Sequence, residues 1–309
     1  MSNTAAEHPQ PSDHARDLVR GAYDLHTHIA PDVMQRRISD LELAERSKEV
    51  GLAGFALKSH YTQTAERAAV VSAAVPGVDV LGAITLNHSV GGMNPIATEI
   101  AARSGARIVW MPTVDSRNER ESTAANPEGA TPPMWARLQQ ELAERGFAVP
   151  PVEVLDEDGK LRGDVRDVLS VIAMYDMVLA TGHLSAHEID VVVAGAAEMG
   201  VNRIVVTHPE FTSQRLGPEA QRDLAAKGAL LERCFTTPYT KKVSWEDLFA
   251  MVRVAGPTRS LLTTDLGQPF NPPVEDGLAL MADRFLEEGF SDNDVHTMIV
   301  TNSATLARG

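Results

Sequence analysis

The chain of 309 residues is 43% hydrophobic and 23% charged, which excludes disorder as its main state and provides for one large core or two small ones. Its 42 acidic against 28 basic residues leave a net charge of −14, which argues against a broad phosphate-binding surface and so against nucleic acid as a partner. Ten histidines against one cysteine, Cys234, exclude disulfides and thiolate metal clusters, leave many nitrogen ligands, and fit a reducing, cytoplasmic location.

Residues 1–20 are largely polar, carry prolines and lack the cationic and apolar blocks of a secretory signal. A flexible tail is expected there, with His8 and His14 outside any site. No run of 18 apolar residues occurs, so no membrane partner is expected. Eight short apolar runs follow: Ala22–His26, Gly54–Lys58, Val78–Leu86, Arg107–Met111, Met177–Thr181, Arg203–Thr207, Ala229–Arg233 and Ser260–Thr264. Most are continuously apolar rather than alternating, the pattern of parallel strands covered on both faces.

Six of the seven intervals between runs are roughly 25 to 32 residues, one strand–helix unit each. Ser39-Asp40-Leu41-Glu42 predicts a capping box opening a helix that ends near Gly51. Helices are likewise predicted over Met93–Ser104, Ala186–Gly200 and Pro218–Lys227. The interval between the fourth and fifth runs is longer and is read as an insertion, about 116–170, with a helix in WARLQQELAERG and a hairpin turning at Asp158-Gly159. At the active-site end of a barrel it would serve as a lid. The whole pattern favours an α/β fold, a closed (β/α)8 TIM barrel forming a single domain over 21–309. A doubly wound nucleotide-binding sheet is disfavoured, because no GxGxxG follows the first run and no GxxxxGK[ST] occurs.

Six histidines fall at or just past the ends of these strands: His26, His28, His60, His88, His183 and His208. Barrel active sites occupy that rim. In Asp24-Leu25-His26-Thr27-His28 the alternation of a strand points both imidazoles the same way, toward one cation, with Leu25 and Thr27 expected to pack outward. His183 and His208 come from consecutive strands and are ligand candidates. Asp265 ends the eighth strand, which closes the barrel beside the first. Lys58 is the one lysine on any strand, and a lysine turned into a barrel requires a buried partner or a substrate anion.

His26 and His28 on the first strand, His183 on the fifth, His208 on the sixth and Asp265 on the eighth resemble the amidohydrolase superfamily of metal-dependent hydrolases. The closing Val300–Ala307 stretch is similar to the superfamily's final helix, with Ser303 in place of a common proline. One departure stands out: the fourth strand, RIVWMPTVDS, lacks the bridging lysine of binuclear members, and Asp115, the nearest acid, lies several residues beyond.

The resemblance implies a divalent metal, zinc first and manganese, iron or cobalt as alternatives, one or two per chain. With one ion, His26, His28, His183 and Asp265 hold it, His208 orients substrate or water, and Lys58 binds a carboxylate or polarises a carbonyl. With two, His183 and His208 hold the second, bridged by carboxylated Lys58 or water. The missing fourth-strand bridge favours one. His60 and His88 are better placed for substrate.

The leading expectation is a hydrolase attacking an amide, lactone or other ester of a small molecule, with Asp265 as the proton carrier and Lys58 or His208 beside the developing oxyanion. Non-oxidative decarboxylation of an unsaturated or aromatic acid is the second reading. A non-catalytic ligand-binding barrel is the third, and it sits poorly with all five superfamily positions being filled. Homo-oligomerisation is an expectation of the resemblance alone.

Overall fold

The computed structural model of the protein describes residues 8–125, 134–147 and 149–308. Each apolar run becomes a strand: β1 (Tyr23–Thr27), β2 (Gly54–Leu57), β3 (Asp79–Thr85), β4 (Ala106–Trp110), β5 (Val178–Ala180), β6 (Ile204–Val206), β7 (Leu230–Cys234) and β8 (Ser260–Thr263). They form one parallel sheet in the order β1 to β8. The sheet closes where the Asp265 N–H donates to the His26 carbonyl and the His28 N–H to the Leu266 carbonyl, both at 2.8 Å. This is the (β/α)8 barrel expected from the spacing of the runs.

Alternation along the strands divides the apolar residues into two environments. Leu81 and Ala83, Ile108 and Trp110, Val178 and Ala180, Val205 and Leu261 share a buried cluster that fills the barrel, with Leu306 and Ala307 of the Asn302–Arg308 helix as its floor. Their neighbours Phe55, Leu57, Val109, Leu179, Val206 and Leu262 pack instead against the surrounding helices. The strands are apolar on both faces because both faces are covered.

The interior cluster also contains Tyr23 and Leu25, which corrects the expected outward placement of Leu25. A register shift in β1 between Asp24 and Thr27 inserts one residue against β2. It lets Leu25 fill the interior while His26 and His28 still reach the site above it.

Helix boundaries follow their caps. Ser39 and Glu42 form the predicted capping box of the Asp40–Val50 helix, which ends at Gly51 with φ 81°. Ser185 and Glu188 form a second capping box, on Ala186–Glu198. The flexible tail needs correcting from Ser12 onward, since Asp13–Leu18 is a helix capped by the Ser12 hydroxyl. It is held to the barrel by buried Ala15, by Ser12 donating to Asp283 and by an Arg16–Asp276 ion pair at 2.6 Å. Residues 1–7 of that tail, and residues 126–133 and 148 of the insertion, lie outside the described residues.

The insertion is also shorter than expected. It contains the helices Arg117–Ala124 and Met134–Glu144 and a hairpin reduced to one bridge, Leu155–Leu161, around Gly159. From Gly163 onward the Gly163–Met174 helix buries Val165, Val168, Leu169 and Ile172 and serves as the barrel's own outer helix before β5. Among the described residues no helix is long and apolar enough to cross a membrane.

Candidate metal centre

At the C-terminal rim the structure brings together His26, His28, Lys58, His60, His183, His208 and Asp265. The Nε2 atoms of His26 and His28 each lie 3.1 Å from Asp265 Oδ1. These three donor atoms fall within 4.8 Å of one another, a spacing that suits a single cation. The other rings form a continuous set, His28 with His60 at 4.8 Å between centroids, His60 with His183 at 6.1 Å and His183 with His208 at 5.0 Å.

His88 is not part of this set. It begins a short turn after β3, is exposed, and turns its ring to the Pro150 carbonyl while its N–H donates to Asp115. The short turn after β3 carries it outward, away from the other rim histidines.

Two site residues sit in the left-handed backbone region that side chains other than glycine seldom adopt, His208 at φ 25° and Asp265 at φ 51°. Such local strain persists where surrounding structure over-determines it. For Asp265 the cause is visible. Gly267, at φ 135°, brings the chain so close to β1 that a Cβ there would stand 1.7 Å from the His28 carbonyl oxygen.

Partners on the far side of each ring decide which nitrogen is free. Glu232 on β7 is a site residue that the sequence analysis missed. Its Oε1 lies 3.1 Å from His26 Nδ1 and also accepts from the Thr263 hydroxyl, while its other oxygen accepts from the His208 N–H. With Nδ1 turned to Glu232, His26 presents Nε2 to the site. Arg36, in the loop after β1, places Nη2 3.4 Å from His28 Nδ1 and pairs with Asp32. His60 Nδ1 meets Thr113 Oγ1 at 2.8 Å, and His208 Nδ1 is buried without a partner among the described residues.

Electrostatics follow from this packing. Burial opposes charge on Asp265, but His26 and His28 outweigh it and hold its carboxyl well below the usual range. Burial likewise disfavours the His26 imidazolium, yet the Asp265 carboxylate raises its pKa to about 9. Lys58 is buried with Nζ 2.8 Å from His26 Nε2 and 5.0 Å from the Trp110 ring centre. Burial lowers its pKa, and it lacks a carboxylate within 4.0 Å among the described residues. His208 is pushed down to about 3 by burial and by His183.

The donor set fits a divalent cation on the chemistry of its atoms: two imidazole nitrogens and one ionised carboxylate oxygen converge, one ring carries its own buried carboxylate, and Asp265 keeps 19% side-chain exposure for access. At the end of β4, where a bridging lysine would stand, the indole of Trp110 faces the interior and lies 5.6 Å from the His26 ring.

The barrel is shared with solved enzymes of the amidohydrolase superfamily. An amidohydrolase from Pseudomonas aeruginosa matches at 11% identity with a TM-score of 0.58, covering 97% of this chain and 98% of that one. A putative 2-pyrone-4,6-dicarboxylic acid hydrolase from Pseudomonas putida matches at 16% identity and TM-score 0.54, covering 93% and 97%. An organophosphorus hydrolase from Deinococcus radiodurans matches at 14% identity and TM-score 0.55, covering 97% and 99%. At these identities the likeness is one of fold. By sequence the chain belongs to a family of unknown function, DUF6282, whose model matches residues 21–232. That span holds His26, His28, Lys58, His183, His208 and Glu232 but stops short of Asp265. No curated protein matches the chain.

Proposed function

We propose that the protein is a metal-dependent hydrolase acting on an amide, lactone or other ester bond of a small molecule. The observation that carries this reading is the convergence of His26 Nε2 and His28 Nε2 on one oxygen of Asp265 across the β1–β8 seam. His26, His28 and Asp265, with His183 from β5, would hold one divalent ion, zinc first. When bound, such an ion polarises a carbonyl and lowers the pKa of water toward neutrality.

The chain's own residues would do the rest. Asp265, ionised and partly exposed, takes the proton of the attacking water and returns it to the leaving group. His208, neutral through burial, offers a ring nitrogen to the developing oxyanion or the leaving group. Lys58 holds an anionic or carbonyl oxygen of the substrate, and His60 lies beside it. Two observations favour one ion over two: Trp110 fills the interior at the end of β4, and His208 Nδ1 has no orienting acceptor among the described residues, unlike His26.

Metal analysis of the purified protein tests this first. A ratio near one per chain is expected, a ratio near two would displace the single-ion reading, and a protein that carries no ion and takes none up would overturn it. A panel of lactones, esters and amides then tests the reaction.

A second reading, decarboxylation of an unsaturated or aromatic acid, is favoured by Lys58, a buried amine without a carboxylate partner among the described residues and thus suited to a substrate carboxylate. Carbon dioxide release against water incorporation separates the two. A location in the cytoplasm is a further part of the proposal and rests on the single cysteine.

A further inference from the structure

The β4–β5 insertion begins with a short stretch that closes around one residue of the site. β5 is only three residues long and ends before His183. The chain after it approaches β4 so tightly that a Cβ on Gly182, at φ 60°, would stand 2.4 Å from the Met111 carbonyl oxygen. That approach lets the His183 N–H donate to the Pro112 carbonyl at 3.0 Å. The His183 carbonyl in turn accepts from the Ser116 hydroxyl at 3.0 Å and from Asn118 Nδ2 at 3.1 Å. Asn118 Nδ2 also reaches the Ser213 carbonyl, in the loop after β6, at 3.0 Å. At the next residue, Glu119 Oε2 lies 3.3 Å from His183 Nδ1, both residues are buried, and neither atom has a well-aligned hydrogen-bond partner among the described residues, so each is the other's nearest opposite charge or donor.

We infer that the first turn of this insertion is a positioning element for His183, in which Glu119 keeps the proton on Nδ1 and leaves Nε2 as the free nitrogen. The sequence dictates the arrangement locally. Ser116 caps the Arg117–Ala124 helix by accepting from the Glu119 N–H, which fixes the helix start. Asn118 and Glu119, adjacent in its first turn, are thereby aimed at the backbone and ring of the same histidine. A ring nitrogen facing a buried carboxylate carries the proton, because two acceptors in contact without one would be left unpaired. A tighter form of the same arrangement stands across the site, where Glu232 Oε1 is hydrogen-bonded to His26 Nδ1 at 3.1 Å. Two imidazoles on opposite sides of the barrel are thus set to present Nε2 by acids from β7 and from the insertion. The part of the chain that reads as a lid starts as a brace.

The consequence for metal affinity rests on the proposed function, but the tautomer does not, and it is measured without metal. Long-range nitrogen–proton correlation spectra of the metal-free full chain, with the His183 ring assigned from a His183→Gln variant, should show the Nδ1–H form. Glu119→Gln, whose amide can donate or accept, should shift the ring toward the Nε2–H form. It should also weaken zinc affinity about 10- to 100-fold, the usual effect of losing an acceptor behind a metal-bound histidine. Asn118→Ala, which touches only the backbone, should leave the tautomer unchanged. If Glu119→Gln fails to fold, Glu119→Asp is read the same way, with a partial shift expected from its shorter reach.

An unchanged tautomer in a folded Glu119 variant overturns the inference, even if the wild type binds zinc. A shifted tautomer in a protein that binds no zinc sustains it and overturns the metal reading instead.

Discussion

Glu232 and His26 are 206 residues apart in the chain, yet Glu232 Oε1 lies 3.1 Å from His26 Nδ1 inside the barrel, away from water. Because the same carboxylate also accepts from Thr263 and from the backbone of His208, it links four neighbouring strand ends. Glu232→Gln keeps the shape but removes the charged acceptor behind His26, and should weaken metal affinity by about 10- to 100-fold. Competition titration against a chelator of known affinity measures it; unchanged affinity would remove Glu232 from the site.

Asp265→Asn should abolish turnover while the fold survives. Asparagine tolerates the left-handed conformation that Asp265 holds at φ 51°, so the backbone has no reason to move. The amide cannot take up a proton as a carboxylate does, and the loss should be about 10²- to 10⁴-fold or more. Activity on any substrate found in the panel, alongside a thermal melt, tests both halves.

Gly267→Ala should destabilise the protein by several kcal/mol, above the roughly 1–3 kcal/mol of backbone strain alone, because the added methyl would meet the His28 carbonyl. Denaturant unfolding gives the stability, and metal affinity should fall with it, since relief of the clash moves His28 away from Asp265. A variant as stable as the wild type would show that the β1–β8 seam yields freely.

Acid should unfold the metal-free protein early. His28, His60 and His208 are held neutral by burial, so each takes up a proton on unfolding once the pH falls below 6.5, their ordinary value. Asp24 acts in the opposite sense. Burial pushes its carboxyl up to about 7 from an ordinary 3.8, so between those values it is protonated when folded and releases the proton on unfolding. Three protons bound against one released leave a net uptake near two, and stability should fall by about 2–3 kcal/mol per pH unit between about pH 6 and 4.5. Below that, Glu119, held near 2 by His183 against the effect of burial, adds to the loss. Urea midpoints across this range, in chelator, check the slope; a flat profile would contradict it.

Arg233→Met should cost about 3–5 kcal/mol, because it strands the carboxylate of Glu210 in the Arg233–Glu210 ion pair behind β7. The double variant with Glu210→Gln should recover much of the loss. Denaturant unfolding of the three proteins distinguishes this from simple loss of packing, in which the second substitution would recover nothing.

The strands and the rim histidines were legible because both are local signals: apolar runs at strand–helix spacing, and polar residues where those runs end. Lys58 was legible for the same reason, as a lone charge on an apolar strand. Glu232 and Arg233 carry that same signal in ALLERC, and a stricter reading of it would have found them. Glu119 and Arg36 carry none. They lie in polar connections where acids and bases are ordinary, and only the path of the chain brings them to His183 and His28. The outward placement expected for Leu25 failed because a bulge leaves no mark in the alternation it interrupts. His88 lies apart from the other rim histidines because strand-end position places a residue on the rim without deciding which way the next turn carries it.

The interior of the barrel is floored by Leu306 and Ala307, and the Tyr23 N–H donates to the Ser303 hydroxyl across 280 residues of sequence. Leu306 comes 43 residues after Thr263, the end of the last strand. During synthesis, then, eight strands can be complete while the cylinder they form is still hollow at its base, and its closing contacts join the beginning and the end of the fold. Folding of this kind commits late and slowly. A ribosome stalled anywhere in that final stretch would display a barrel that has every strand and no bottom.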